Sequence, residues 1–337
     1  MTATPRIDKQ KGKSVLKRPP TLEINNLPRL VNSPEIVEKL REVVIKHRFS
    51  KLFDWDDATG RTKYAKEIDA HALKRHDYTI QIYLPWVWQV FDLNKKTKVV
   101  EIGCGTGSST AAFAPYVGEI IGYDIDARYV EAATDRMKVQ GLENASIHCY
   151  PPNEVNQKIL KRHKKERADI VLLFAVLEHQ TIAERLDTLN MAQQIVADGG
   201  IIVVAETPNR LCYQDMHTSV MPFFHMLPYE LKQLYYNRSP RKNFKESVTS
   251  FLKQKELTQD KIEEYFIRWG DCVSFHEFEL TFKNIHQRII ADGFHPNLIR
   301  LRGIRKEDEI LQEALHSFLP DVHPAFSRHY LDLIIQC

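Results

Sequence analysis

No stretch of the 337-residue chain stays apolar for the about 20 residues a membrane span requires, and the first residues lack the apolar segment of a secretion signal. Cysteine is scarce. Cys104, Cys149, Cys212, Cys272 and Cys337 are an odd number without Cys-x-x-Cys spacing. That argues against a disulfide framework or a zinc knuckle, and it leads us to expect a cytoplasmic protein. Internal repeats are absent. Net charge is low, +3, and unevenly placed. Residues 1–20 hold Arg6, Lys9, Lys11, Lys13, Lys17 and Arg18 against Asp8, which is +5 and leaves −2 for the rest. A body of that sign is a poor polyanion binder, so no nucleic-acid partner is expected. The leader itself reads as solvated and disordered.

What the chain does contain is concentrated in Val99–Asp126, VVEIGCGTGSSTAAFAPYVGEIIGYDID. An apolar run is followed by Gly103, Gly105 and Gly107, then Ser108, Ser109 and Thr110, any of which caps a helix well. A second apolar run ends on Asp124. The order is strand, glycine turn, helix, strand, acid: half of a nucleotide-binding α/β sheet. Dinucleotide sites use Gly-x-Gly-x-x-Gly under a pyrophosphate. Here position 108 is Ser and the third glycine is Gly107. Glu101, just before the turn, would repel a pyrophosphate but suits a ligand carrying cations. S-adenosylmethionine has an ammonium, a sulfonium and a ribose whose hydroxyls Asp124 could accept.

This Glu-x-Gly-x-Gly-x-Gly pattern resembles the first motif of the class I S-adenosylmethionine-dependent methyltransferases. From 99 to about 230 the chain looks like their small-molecule O-methyltransferases of the ubiquinone-biosynthesis type. Ala168–Val171, Val176–His179, the Gly199–Gly200 turn and Thr207–Arg210 carry the likeness. The resemblance implies a Rossmann-like sheet of seven strands, mostly parallel, with helices on both faces and a last strand, Tyr330–Gln336, inserted antiparallel. It also implies S-adenosylmethionine as cofactor, held by Glu101, Gly103, Cys104, Gly105, Gly107 and Asp124. Ile125 would pack on adenine, with Tyr150 and Phe174 as further cofactor contacts. The acid that relatives place after the third strand is missing from His148–Asn153, which leaves Tyr150 or Asn153 to hold the base. The Glu-x-x-Glu-His metal set of some relatives lacks its first carboxylate, since Ala175 stands there. Two ligands make a poor divalent site, so no required metal is expected.

Alternating apolar strands and amphipathic helices suggest a division into a leader (1–30), a helical N-terminal cap (31–95), a cofactor-binding core (96–210), a helical substrate lid (211–275) and the C-terminal part of the core sheet (276–337). Ser33–Pro34–Glu35 reads as a helix start. Phe278–Ala291 reads as a helix, Gly293–Phe294 as its stop and Leu298–Leu301 as a strand. Tyr78 and Tyr83, in the aromatic stretch around Pro85, could touch the cofactor.

Methyl transfer to an alcohol aligns three atoms, excludes water and removes a proton. Three histidines are candidates for the proton. His179 lies just past the fourth strand, where ligands of open α/β sheets sit. His217 and His225 flank the apolar segment that follows the fifth strand, with Met221, Phe223 and Phe224 as pocket walls. No third ligand beside His217 and His225 is evident, so a metal pair is not expected there. Glu206 positions substrate or pairs with Arg210, and Arg238, Arg241, Lys242 and Lys245 could dock an acidic acceptor. The expected function is methyl transfer to an oxygen of a small organic or glycan-type acceptor. An NAD-dependent oxidoreductase and a non-catalytic binding protein of the same fold remain as alternatives.

Overall fold

The computed structural model describes residues 33–49, 56–293 and 306–337. The leader and the expected strand Leu298–Leu301 lie outside the described residues, as does Phe294. Seven strands form one sheet in the order β3-β2-β1-β4-β5-β7-β6. They are β1 (Lys98–Ile102), β2 (Glu119–Asp124), β3 (Ala145–Cys149), β4 (Ala168–Phe174), β5 (Val196–Pro208), β6 (Ile289–Asp292) and β7 (Tyr330–Gln336). The first five are parallel, with Val99 opposite both Ile120 and Ile170. β7 runs antiparallel to β5, with Ile202 opposite Ile335, and also to β6.

The strands read as unbroken apolar runs because both faces are covered. Val99, Ile170, Leu172 and Val203 point to one core with Leu84, Trp86 and Phe113. Val100, Val171, Leu173 and Val204 point to the other, with Ile159, Leu189 and Phe278.

On the N-terminal side run α1 (Pro34–Val44), α2 (Asp57–Lys63), α3 (Ala65–Asp69), α4 (Arg75–Tyr78) and α5 (Leu84–Trp88), the last three joined by π-helical turns. Ser33 caps α1, its hydroxyl accepting from the Ile36 amide, with Pro34 at the first position. The core helices are α6 (Ser108–Phe113), α7 (Ala127–Val139), α8 (Val155–His163) and α9 (Ile182–Ile195). After β5 come α10 (Tyr229–Tyr235), α11 (Lys242–Leu252) and α12 (Gln259–Gly270), which enclose their own core of Met221, Phe224, Phe244, Val248 and Phe266.

One expected helix is corrected. Phe278–Ala291 divides into α13 (Phe275–Thr281), α14 (Ile285–Arg288) and β6, and α15 (Lys306–Phe318) precedes β7. The break falls at Asn284, whose φ of +57° is left-handed. Phe278, Phe282 and Ile285 keep the helical spacing that suggested continuity, while Ile289 and Ala291 pair with β7.

Candidate active site

The chain leaves β1 at Gly103. The amides of Gly103 and Cys104 both donate to the Tyr123 carbonyl, at 2.8 and 3.0 Å, which ties the turn to the tip of β2. The glycines divide their work. A Cβ on Gly103 would lie 2.6 Å from Val176 Cγ2, and one on Gly107 would lie 2.9 Å from Ala133 Cβ and Met137 Cε. At Gly105, with φ +53°, a Cβ would meet nothing within 4 Å. Packing requires the outer glycines; the middle one fronts open space.

Asp124 stands beside that space. Its Oδ2 accepts from the Gly105 amide at 2.8 Å and its Oδ1 from the Asp126 amide at 2.9 Å. Each carboxylate oxygen keeps a further acceptor direction. Burial raises its pKa from the ordinary range. Ile125 follows, half-exposed at 51%. Glu101 is buried instead, with one oxygen accepting from the Ser109 hydroxyl and the other from Thr110. Burial pushes its pKa up to about 7, against the pull of those hydroxyls and of Arg75. Cys104 is a buried thiol whose pKa burial pushes up. Tyr150 stacks on Tyr123 at 5.6 Å, and Phe174 is buried against Tyr83 and Phe113.

The helices from 65 to 88 are fastened over this turn. Arg136 of α7 is buried and donates to the carbonyls of Thr106 (2.8 Å), Ala72 (3.0 Å) and His71 (2.6 Å). The Ser108 hydroxyl donates to the same His71 carbonyl. Arg75 reaches Glu206 at 2.5 Å, and the Tyr83 hydroxyl donates to the other Glu206 oxygen at 3.2 Å. Glu206 thus pairs with Arg75 and not with Arg210, one of its two expected roles, while Arg210 pairs with Asp271. The carboxylates of Glu206, Glu178 and Glu101 oppose the effect of burial and raise the Arg75 pKa. Ala175 and Glu206, at those two tips, have φ of +50° and +58°. Such left-handed non-glycine residues concentrate where ligands bind.

Beyond β4 three side chains meet. Nε2 of His179 and Nε2 of His217 each lie 3.9 Å from the same Glu178 oxygen, Oε1. Glu178 is fully buried, and neither of its carboxylate oxygens has a hydrogen-bond partner. Burial raises its pKa to about 8 and lowers that of His217 to about 4; burial lowers His179 as well. His217, thirty-eight residues on, joins the Glu178–His179 pair that the sequence offered as two ligands. Gly270 permits this approach, because a Cβ there would overlap the His217 ring.

His225 stands apart. Its Nε2 meets the Cys212 carbonyl at 2.7 Å, and its neighbours are Asp215 and Cys272. Met221 and Phe224 are buried inside the helical segment, while Phe223 is exposed. Arg241 donates to the carbonyls of His217 and Thr218 and lies over Trp269, so it is taken up by the fold.

Sequence reasoning missed two anchors. Arg185 is buried and donates to the carbonyls of Leu177, Asp271 and Cys272 and to Glu277. Asp271 accepts from Arg210, Tyr229 and Lys232. Burial works to raise Asp271, but Lys232 and Arg210 hold its pKa below the ordinary value. Its amide donates to the Glu178 carbonyl at 2.7 Å. Arg185 and Lys232 look like ordinary helix-surface residues in sequence, and no local pattern marks them.

A seven-stranded sheet with one antiparallel insertion, an acid-flanked glycine turn after β1 and an acid ending β2 define the S-adenosylmethionine-dependent methyltransferase class. The chain belongs to the methyltransferase-domain family, whose model matches residues 93–264. A second model, protein-L-isoaspartate(D-aspartate) O-methyltransferase, matches residues 24–151. A ubiquinone biosynthesis O-methyltransferase of Rhodopseudomonas palustris is 29% identical over 171 residues, 48% of this chain and 60% of that protein. A probable non-canonical nonribosomal peptide synthetase, CymA, of Salinispora arenicola is 27% identical over 127 residues, 37% of this chain and 2% of that one. The chain thus spans less than two thirds of each of these relatives. The solved structure of an amino pentose methyltransferase from Micromonospora echinaspora matches at 19% identity and a TM-score of 0.33, over 42% of this chain and 55% of that one. Family membership sets the NAD-dependent oxidoreductase aside. No helix among the described residues is long and apolar enough to cross a membrane.

Proposed function

We propose that this chain transfers the methyl group of S-adenosylmethionine to an oxygen of a small organic or glycan-type acceptor, in the cytoplasm and without a nucleic-acid partner. The observation that carries the reading is the open face at Gly105 beside the Asp124 carboxylate, with the Glu178–His179–His217 group just past the tip of the neighbouring parallel strand β4. In this reading Gly103, Cys104, Gly105 and Gly107 shape the berth for methionine. Asp124 accepts from the ribose hydroxyls, and Ile125 offers its exposed side chain to adenine. Glu101 contributes negative charge from inside the turn, in favour of the donor's cations. Phe174 supports the berth through Tyr83, and Tyr150 borders it.

The acceptor lies against His179 and His217. Both are held neutral by burial, so their imidazoles are the groups placed to deal with the hydroxyl proton as the O–CH3 bond forms and the CH3–S bond breaks. His225 has no part in this reading, because it lies in a separate buried group with Asp215 and Cys272.

The test is S-adenosylhomocysteine release across a panel of hydroxylated acceptors. For an accepted substrate, His179→Ala and His217→Ala lower kcat by about 100-fold or more, with S-adenosylhomocysteine affinity retained. Undiminished turnover in both variants sinks the assignment of these imidazoles. Donor binding without turnover on any acceptor would instead make the chain a binding protein of this fold.

A further inference from the structure

We propose that Glu178, His179 and His217 form a binding site for one divalent transition-metal ion of the zinc, cobalt or iron(II) class. Their ligating atoms all lie within 4.8 Å of one another.

The protons in this cluster are the argument. Nδ1 of His179 lies 3.0 Å from the Arg268 carbonyl, which only accepts, so Nδ1 carries the proton and Nε2 presents a lone pair. Nδ1 of His217 lies 3.3 Å from the Thr218 hydroxyl, and that hydroxyl donates its own proton to the Gly270 carbonyl. Thr218 therefore accepts from Nδ1, and Nε2 of His217 also presents a lone pair. Both lone pairs face Glu178 Oε1, across gaps of 3.9 Å that are too long for a hydrogen bond. Two imidazole lone pairs and a Glu178 oxygen that no hydrogen-bond donor reaches thus converge on one point. A buried, unpartnered carboxylate aimed at two such nitrogens is explained by a cation between them.

The outer partners fit as well. Imidazoles that bind metal through Nε2 ordinarily donate Nδ1–H to a carbonyl, a carboxylate or water, which fixes the ring. The Arg268 carbonyl accepts from His179 in this way, and the Arg268 guanidinium donates back to the His179 carbonyl at 2.8 Å. The Glu178 main chain is held by the Asp271 amide. Two nitrogens and one carboxylate suit a borderline ion better than magnesium or calcium. Ligand atoms around an ion at about 2.1 Å are about 3.0–3.4 Å apart, so side-chain shifts of about half an ångström close the site. The side chain of His179 is 44% exposed, which leaves coordination positions on the open side. An ion on both Nε2 atoms replaces the base role proposed above, since a hydroxyl bound at those positions would be acidified by the ion instead; that part rests on the proposed function, and the ion site itself does not. The other candidate group, Asp215, His225 and Cys272, is different. The Asp215 carboxylate already accepts from the amides of His217, Thr218 and Ser219 and from the Ser219 hydroxyl. It needs no ion.

The experiment is titration of chelator-stripped full-length protein with Co2+, followed by visible absorption and by calorimetry, with Zn2+ as competitor. S-adenosylhomocysteine binding is measured on the same preparations. One Co2+ per chain is expected, displaced by Zn2+. Glu178→Gln, His179→Ala and His217→Ala each weaken it by about tenfold or more while S-adenosylhomocysteine still binds, and Cys272→Ser leaves the cobalt titration unchanged. Cobalt binding that is absent, or equal in the wild type and all three ligand variants, overturns the ion site. Failure of S-adenosylhomocysteine to bind wild-type protein overturns the donor reading instead.

Discussion

Asp124 and Gly105 are joined by a 2.8 Å hydrogen bond at the berth proposed for the donor. Gly105 is the position where a single methyl group separates binding from folding. Its left-handed φ costs an alanine about 1 kcal/mol, yet the new Cβ would touch no protein atom within 4 Å. Gly105→Ala is therefore expected to melt slightly below wild type while its S-adenosylhomocysteine affinity falls by about tenfold or more, as read by calorimetry. A large loss of stability with affinity intact would place the ligand elsewhere. Glu101 makes a pH-dependent prediction. Its native pKa of about 7 lies above the ordinary 4.5. Between those values the folded chain holds a proton that the unfolded chain has released. Stability therefore falls as pH rises through that window, by up to about 3 kcal/mol. Above it the carboxylate is charged and draws the donor's cations. Denaturant melts of Glu101→Gln should lose that slope. Donor affinity, which rises from pH 6 to pH 8 in the wild type, should be weaker and flat in the variant.

At the scale of elements, the helices packed over the glycine turn depend on one buried cation. Arg136 has three carbonyl partners and no carboxylate, and burial lowers its pKa to about 10, so it remains charged at neutrality. Arg136→Lys leaves carbonyls unpaired, at a cost of about 2–3 kcal/mol. Amide hydrogen exchange in residues 70–78 should speed up more than exchange in β4, and equal acceleration in both would mean that Arg136 supports the whole core. This clamp also shows where the sequence could be read. The run β1, glycine turn, α6, β2 was legible because each local requirement is short-range: alternating burial, left-handed glycines and an acid at a strand tip. Tyr330–Gln336 was legible as a strand for the same reason. The helix expected over Phe278–Ala291 was misread because Phe278, Phe282 and Ile285 are buried at helical spacing, although Asn284 turns the chain between them. Arg75, the partner of Glu206, and the Arg136 partners His71 and Ala72 lie more than sixty residues away, and only the packed structure reveals them.

On the scale of the whole molecule, the segment expected as the lid is joined to the core at the site itself. Asp271 binds Lys232 and Tyr229 of α10 through its side chain and Glu178 through its amide. Arg185 of α9 holds the carbonyls of Asp271 and Cys272. Of the three histidines expected near the acceptor, this joint brings His179 and His217 together and leaves His225 in a separate buried group. The measurement that bears most directly on the central claim is a calorimetric titration of the intact chain with S-adenosylmethionine, S-adenosylhomocysteine and NADH, repeated on Asp124→Asn. The account predicts one site for each sulfur nucleoside, none for NADH, and affinity lowered by about 10- to 100-fold in the variant. NADH binding in place of the sulfur nucleosides, or a variant that binds them as tightly as wild type, would contradict it.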